Sequence, residues 1–444
     1  MIEHRAPATT ARARAERSLA RIAALDGRLR SCIVVRAAAV EEAAEVDARD
    51  QSGPLAGWTI GVKDNTDVRG TVRSDGLGPP SPPPASSDAT AVARLRSAGA
   101  VVVAKTNLEQ LSFGATTQNL TFGACRNPWD THRIPGGSSG GSAVAVAAGL
   151  VDVALGTDTG GSLRNPAAFC GVSALRPTHG LVPVAGVTPL SPSMDVVGPM
   201  ARSVEQLAPV LAALSGRATP ETAGLAETIG WAETIGWAET TIGVPRDYFL
   251  DDLDQDVARS FDALLDLLTG SGARLKAVAL AGAASVPEPM SVVQNAEAAQ
   301  SLRAYWDDER LTPGIRHRLE IGRQVGPAEL SAAKAAVATW RRTVETTLTE
   351  VDVVVTPTTP FVAPVADAED GDLVAVSRQI NRFTGCWSPA GTPVLALPLP
   401  RSAAGLPVGG QLVAARGRDA RLLAVGRDLQ RETDWHAGVP VSIE

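Results

Sequence analysis

Lysine is scarce in this chain of 444 residues: Lys63, Lys105, Lys276 and Lys334 are the full set, and every other basic residue apart from the histidines is arginine. Acids outnumber the 41 Lys+Arg, leaving a net charge of −7 with no basic stripe. Direct nucleic-acid binding is therefore not expected. Cys32, Cys125, Cys170 and Cys386 stand far apart, with no C-x-x-C pair and no Cys/His cluster at ligand spacing. That pattern argues against a disulfide framework, a metal or a cofactor, and fits small buried thiols in a reducing compartment. No apolar run reaches the roughly 18 residues that cross a bilayer, and the N-terminus is rich in Arg, Ala and Glu. The expectation is a cytoplasmic protein without a membrane span.

What is present is an alternation of strand-like and helical segments. Two amphipathic helices between residues 10 and 50 flank the β-like Ser31–Val35. A strand at Trp58–Lys63, a Pro/Gly/Ser loop at Ser74–Ser87, a helix near Ala89–Ser97 and a strand at Val101–Ala104 follow, with a further helix expected to begin close to Asn107. Ser142–Gly149 is apolar on every side, as a buried helix is, and Val151–Leu155 reads as a strand. Helical patterns cover Ala201–Leu214, Asp256–Leu268, much of 286–350 and about Arg418–Thr433. Thr241–Val244, Val351–Val355, Val394–Pro398 and Gly409–Ala414 read as strands. A tandem hexad, Ala226–Trp231 and Ala232–Trp237, is too short for a solenoid and reads as a surface duplication. With 44% hydrophobic residues and no long linker, the fold class is α/β: a single large domain over 1–444 with a central mixed, twisted sheet covered by helices on both faces.

Two loops carry the candidate chemistry. Pro135–Ser142 is a Gly/Ser string that is either a flexible linker or a structured loop, and its direct entry into an apolar helix favours the latter. The phosphate-cradling glycine patterns are absent. Gly136–Gly140 does satisfy G-x-S-x-G, but Asn127–Pro135 before it cannot form a central strand, and the late histidines His317 and His436 sit in no recognisable catalytic loop. Gly156–Arg164 instead follows a strand and precedes the helix start at Pro166. A strand-loop-helix turn with two glycines before a serine exposes backbone N–H groups beside a hydroxyl, the geometry of an oxyanion hole, although a plain capped turn has the same pattern. A serine nucleophile needs a base, and a buried lysine serves when desolvation lowers its pKa. Lys63, at the end of an apolar strand, is the best placed of the four, the alternative being an exposed strand-end lysine.

Gly61–Asn65, Pro135–Ser142 and Gly156–Arg164 together resemble the amidase signature family. The likeness continues through Pro166–Gly171, Leu175–Thr178, Gly198–Ser203 and Gly405–Gln411. It implies a Ser–cis-Ser–Lys triad at Ser162, Ser138 and Lys63. Ser162 would attack the carbonyl, Ser138, after a cis bond from Gly137, would relay the proton, and a neutral Lys63 would be the final base. It further implies an oxyanion hole from the N–H groups of Thr159, Gly160, Gly161 and Ser162, with Asp158, Arg164 and Ser139 in support. Asn119, Thr188, Leu190, Trp387 and Ser388 are the candidate pocket residues. The chain departs from the family's T-x-G-S rim motif at Thr71–Pro80, so its substrate walls transfer least. The signature core spans about 55–205, a variable wall region about 215–350, and C-terminal strands and a helix about 351–435.

The leading expectation is a free-standing amidase acting on a small or medium carboxylic amide, with esters, anilides and carbamates also reactive. Small-molecule amide and water are its partners, and a homodimer is left open. The alternative is the A subunit of a tRNA-dependent amidotransferase, and a non-catalytic scaffold ranks last because all three triad positions are filled.

Overall fold

The computed structural model describes residues 10–49, 53–216, 236–366 and 370–440. Most of the hexad repeat falls outside them. In chain order the strands are β1 (Cys32–Val35), β2 (Thr59–Lys63), β3 (Val101–Thr106), β4 (Gln118–Asn119), β5 (Gly123–Ala124), β6 (Val153–Asp158), β7 (Ser173–Arg176), β8 (Val196–Ala201), β9 (Thr241–Pro245), β10 (Arg274–Val278), β11 (Val353–Pro357), β12 (Val394–Leu399) and β13 (Val408–Val413). All but the β4–β5 hairpin join one eleven-stranded sheet, ordered β1-β3-β2-β6-β8-β7-β12-β13-β11-β9-β10. The stretch β3-β2-β6 is parallel, the centre from β6 to β11 is antiparallel, and β11-β9-β10 is parallel again. A single mixed α/β domain results.

The helices are α1 (Ala11–Leu29), α2 (Ala39–Ala48), α3 (Thr90–Ser97), α4 (Gly140–Ala147), α5 (Arg164–Cys170), α6 (Val204–Ser215), α7 (Gln255–Gly270), α8 (Pro287–Ser301), α9 (Pro313–Gln324), α10 (Pro327–Thr347), α11 (Asp370–Ile380) and α12 (Asp419–Arg431). Strand alternation sorts them onto two faces. In β6, Val153 and Leu155 join a cluster with Leu95, Leu207, Leu264 and Leu422 of α3, α6, α7 and α12, whereas Ala154 joins Ile22, Ala43, Val144 and Ala167 of α1, α2, α4 and α5. α1 shows why such a segment is a helix: Thr10 caps Ala13 N–H through its hydroxyl, and Ala11, Ala15, Ser18, Ile22, Leu25 and Leu29 bury one stripe. In α4 all eight residues are buried, as a helix apolar all round requires.

Two expectations need correction. The helix foreseen near Asn107 is only a 3-10 turn at Gln110–Ser112, with Leu111 and Ser112 at positive φ. The chain there is claimed by other partners: Asn107 C=O accepts from Gly141 N–H at 3.1 Å and Leu111 N–H donates to Asp75 C=O at 2.8 Å, so the bond that would close the first helical turn is not made. The strand expected at Val151–Leu155 runs instead from Val153 to Asp158, carrying residues read as loop into the sheet. Strands β7, β8 and β10 and helix α11 were not anticipated.

Candidate active site

The parallel pair β2 and β6 ends at one edge of the sheet, the place where open α/β sheets present their ligands. Lys63 is the last residue of β2, and Asp158 the last of β6. Beside them the 135–139 loop turns into α4, with the Gly137–Ser138 peptide cis. Glycine is required at Gly141 because a Cβ there would lie 2.5 Å from the Asn107 backbone and from Ser31 C=O.

Lys63 Nζ lies 2.7 Å from Ser138 Oγ and 2.8 Å from Thr157 Oγ1, and all three side chains are buried. Burial disfavours the ammonium and brings Lys63 down to about 7, although the fields of Asp158, Asp195, Glu109 and Asp75 push the other way. The ammonium form is therefore much less favoured at neutral pH than in an exposed lysine. Asn65 Nδ2 steadies the arrangement by donating to Thr157 Oγ1 at 3.1 Å and to Ser112 Oγ at 3.2 Å. The second buried lysine, Lys105, is occupied differently: it pairs with Asp64 Oδ1 at 2.6 Å.

The two loops are tied together through Ser139. Its N–H donates to Ser162 C=O at 3.2 Å, and its hydroxyl bonds to the Thr157 backbone. Ser162 itself is half-buried beside Gly161, whose φ of +135° only glycine adopts readily, and a Cβ at Gly161 would collide with Thr384 Oγ1. Asp158 holds the loop from beneath by accepting from Gly161 N–H, Leu163 N–H, and Arg164 Nε and Nη2. Arg176 adds bonds to Asp158 Oδ1 and C=O. Burial alone would raise the Asp158 carboxyl, but the two guanidiniums outweigh it and hold the group well below the usual carboxylate range. Of the four N–H groups foreseen as oxyanion donors, that of Gly161 already donates to Asp158 Oδ1 at 2.9 Å. Thr159 is anchored by its hydroxyl to Asp195 Oδ1 at 2.6 Å.

The foreseen pocket residues scatter. Trp387 is fully buried in a core cluster, stacked on Phe249 with centroids 5.3 Å apart, so its ring packs rather than lines a wall. Ser388 is equally buried and accepts from Arg164 Nη2. Asn119 spends its amide on Gly76 and Leu108 carbonyls and on the Thr121 and Phe122 N–H groups. Leu190 packs with Leu77, Leu111 and Phe113, and Thr188 donates its N–H to Asn65 C=O. Sequence reasoning passed over Asn65, Thr157 and Arg176, although all three lie inside the motifs it quoted. It passed over Glu109 and Asp195 as well, whose fields reach Lys63 and the second of which accepts from the Thr159 hydroxyl.

Comparison with known proteins gives the family. A family model described as Amidase matches residues 14–423. The A subunit of the Glutamyl-tRNA(Gln) amidotransferase of Roseiflexus castenholzii is 37% identical over 458 residues, covering 95% of this chain and 92% of that protein. A crystal structure of an amidase superposes with a TM-score of 0.86 at 34% identity, covering 96% of both chains. An inhibitor-bound complex described as vestigial and as revealing the origins of an s-triazine catabolic enzyme superposes at 0.87 with 31% identity, covering 96% of this chain and 95% of that one. With nearly the whole chain matched, this protein belongs to the amidase signature family of amide-hydrolysing and amide-transferring enzymes.

Proposed function

We propose that the chain cleaves a carboxylic amide through an acyl-enzyme on Ser162. The observation that carries this is the buried Lys63–Ser138 contact of 2.7 Å, with the amine brought down to about 7. Ser162 attacks the carbonyl carbon, Ser138 takes the Ser162 proton as it passes its own to Lys63, and the path reverses to protonate the leaving nitrogen. The N–H groups of Thr159, Gly160 and Ser162 receive the oxyanion, and one such donor is worth roughly 3 kcal/mol in the transition state. Asp158, Arg164 and Arg176 keep those N–H groups in place. A second acceptor, water or another nucleophile, then releases the acyl group.

Two readings differ in that acceptor. The name of the Roseiflexus relative, at 37% identity over almost the whole chain, weighs for an amidotransferase component that releases ammonia inside a complex. The amidase structure at 34% identity supports a free-standing hydrolase that uses water on small or medium amides, anilides, esters or carbamates. Labelling with a fluorophosphonate tests the shared chemistry: Ser162→Ala should abolish it, and a variant that still labels would move the nucleophile elsewhere. Turnover of simple anilides by the isolated chain would favour the hydrolase, whereas release of ammonia only in the presence of partner proteins would favour the amidotransferase reading.

A further inference from the structure

Each residue of the oxyanion loop is tied to a different part of the fold. Asp158 accepts from Gly161 N–H, Thr384 Oγ1 donates to Gly160 C=O at 2.9 Å, and Ser139 N–H reaches Ser162 C=O. Thr159 is tied by its side chain, whose hydroxyl donates to Asp195 Oδ1 at 2.6 Å.

The Asp195 end of that bond is the fixed one. Its Oδ2 accepts from Leu190 and Ser191 N–H, both at 2.9 Å, and its own N–H donates to Ser191 C=O at 2.9 Å. Three further segments pin the turn so formed. Glu297 of α8 accepts from Ser191 Oγ at 2.7 Å and from Ser193 N–H and Oγ. Arg176 of β7 donates to Met194 C=O at 2.8 Å, and His179 Nε2 lies 3.0 Å from Pro192 C=O. Threonine has little freedom about χ1, so a hydroxyl held by an anchored carboxylate also fixes the backbone from which the Thr159 N–H projects. The field of Asp195 reaches Lys63 as well, beside those of Asp158, Glu109 and Asp75, while Arg176 and His179 are the cationic or titratable groups that face Asp195.

We infer that Asp195 is a positioning residue for acylation, aiming the Thr159 N–H at the developing oxyanion through the Thr159 hydroxyl. This rests on Ser162 being the nucleophile. The test is the rate at which a neutral fluorophosphonate, whose phosphonyl oxygen takes the place of the oxyanion, labels Ser162 as a function of pH. Thr159→Val removes the hydroxyl and should lower the plateau rate roughly tenfold while the acid limb stays in place, since Lys63 is untouched. Thr159→Ser restores the hydroxyl and should recover most of that loss. Asp195→Ala should lower the plateau at least as far, and combining it with Thr159→Val should lower it no further, because both substitutions break the same bond. A wild-type plateau in Thr159→Val overturns the inference, as does a Thr159→Ser variant as slow as Thr159→Val. An acid limb that moves in Thr159→Val overturns it too, since the whole site would then have loosened. Losses that multiply in the double variant do the same, because Asp195 would be acting by another route. Absence of labelling in the wild-type chain is a separate result, which removes the nucleophile assignment and the inference with it.

Discussion

Raising the pH from 7 to 9 should stabilise this protein relative to its Lys63→Met variant by about 3 kcal/mol. In the folded chain burial brings the Lys63 amine from 10.5 down to about 7. Between those two values the unfolded chain holds a proton that the folded chain has released. Stability therefore climbs with pH through that window, at about 1.4 kcal/mol per unit. Below pH 7 both states are protonated, the slope vanishes, and the fold bears the whole cost of a buried ammonium. Above 10.5 both are neutral and that cost is gone. The full span, 10.5 − 7 = 3.5 units, is worth roughly 5 kcal/mol, of which two units fall between pH 7 and 9. Methionine has similar length and no titration, so the difference between the two urea unfolding curves at pH 7, 8 and 9 isolates the lysine. Other groups, such as Cys32 with its thiol pushed up to about 12, act in both chains and cancel. Parallel pH dependences would refute the reasoning, because they would mean an ordinary, protonated lysine that cannot serve as a base. The kinetic counterpart is an acid limb in kcat/KM with an apparent pKa near 7 and a tenfold loss per unit below it. A limb near 10 would be the same refutation seen in the rate.

Asp158→Asn should lower stability by about 3–5 kcal/mol in urea titrations, since Arg164 and Arg176 would remain fully buried without a counter-charge. Asp75→Asn should act in the opposite direction above neutrality. Burial pushes the Asp75 carboxyl up to about 6 from 3.8, so wild-type stability is lost as pH rises through 6; the variant should gain up to roughly 3 kcal/mol at pH 8 and nothing at pH 3. Gly161→Ala should cut kcat on the order of a hundredfold, because φ at +135° and the crowding by Thr384 and Asn165 force the oxyanion loop to move; an unchanged kcat would show that the loop tolerates the shift.

The fold was legible where pattern and burial coincide. α4, apolar on every side, and β2, β9, β11, β12 and β13, short apolar runs bounded by turns, appear close to where periodicity puts them. β7, β8 and β10 escaped notice for different reasons. Val196–Ala201 contains Gly198 and Pro199, which read as breakers, yet its side chains are wholly buried between β6 and β7. Arg274–Val278 is an edge strand with most residues exposed, so it has no burial signature at all. The helix expected after Asn107 failed because Asn107 C=O is taken by Gly141 N–H and Leu111 N–H by Asp75 C=O, contacts across more than thirty residues that no local window contains.

The site divides along the same line. Lys63, Ser138, Asp158 and Arg164 stand in the motifs that carry the family resemblance and could be named from sequence; Asp195, which meets Thr159 from another segment, could not, and the expected pocket residues Trp387 and Ser388 are buried in the core. The two buried lysines show why. Scarcity singled out Lys63, yet Lys105 on the adjacent strand is just as buried, and the acid closest to Lys63 in sequence is Asp64. Along a strand, successive side chains point to opposite sides. Asp64 is therefore carried away from Lys63 and meets Lys105 at 2.6 Å, where Ser74 also bonds to it. A Lys-Asp dipeptide that looks like an ion pair in the sequence thus separates in the fold. One lysine receives the carboxylate, and the other is left fully buried with two hydroxyl groups, a setting that brings an amine down toward 7.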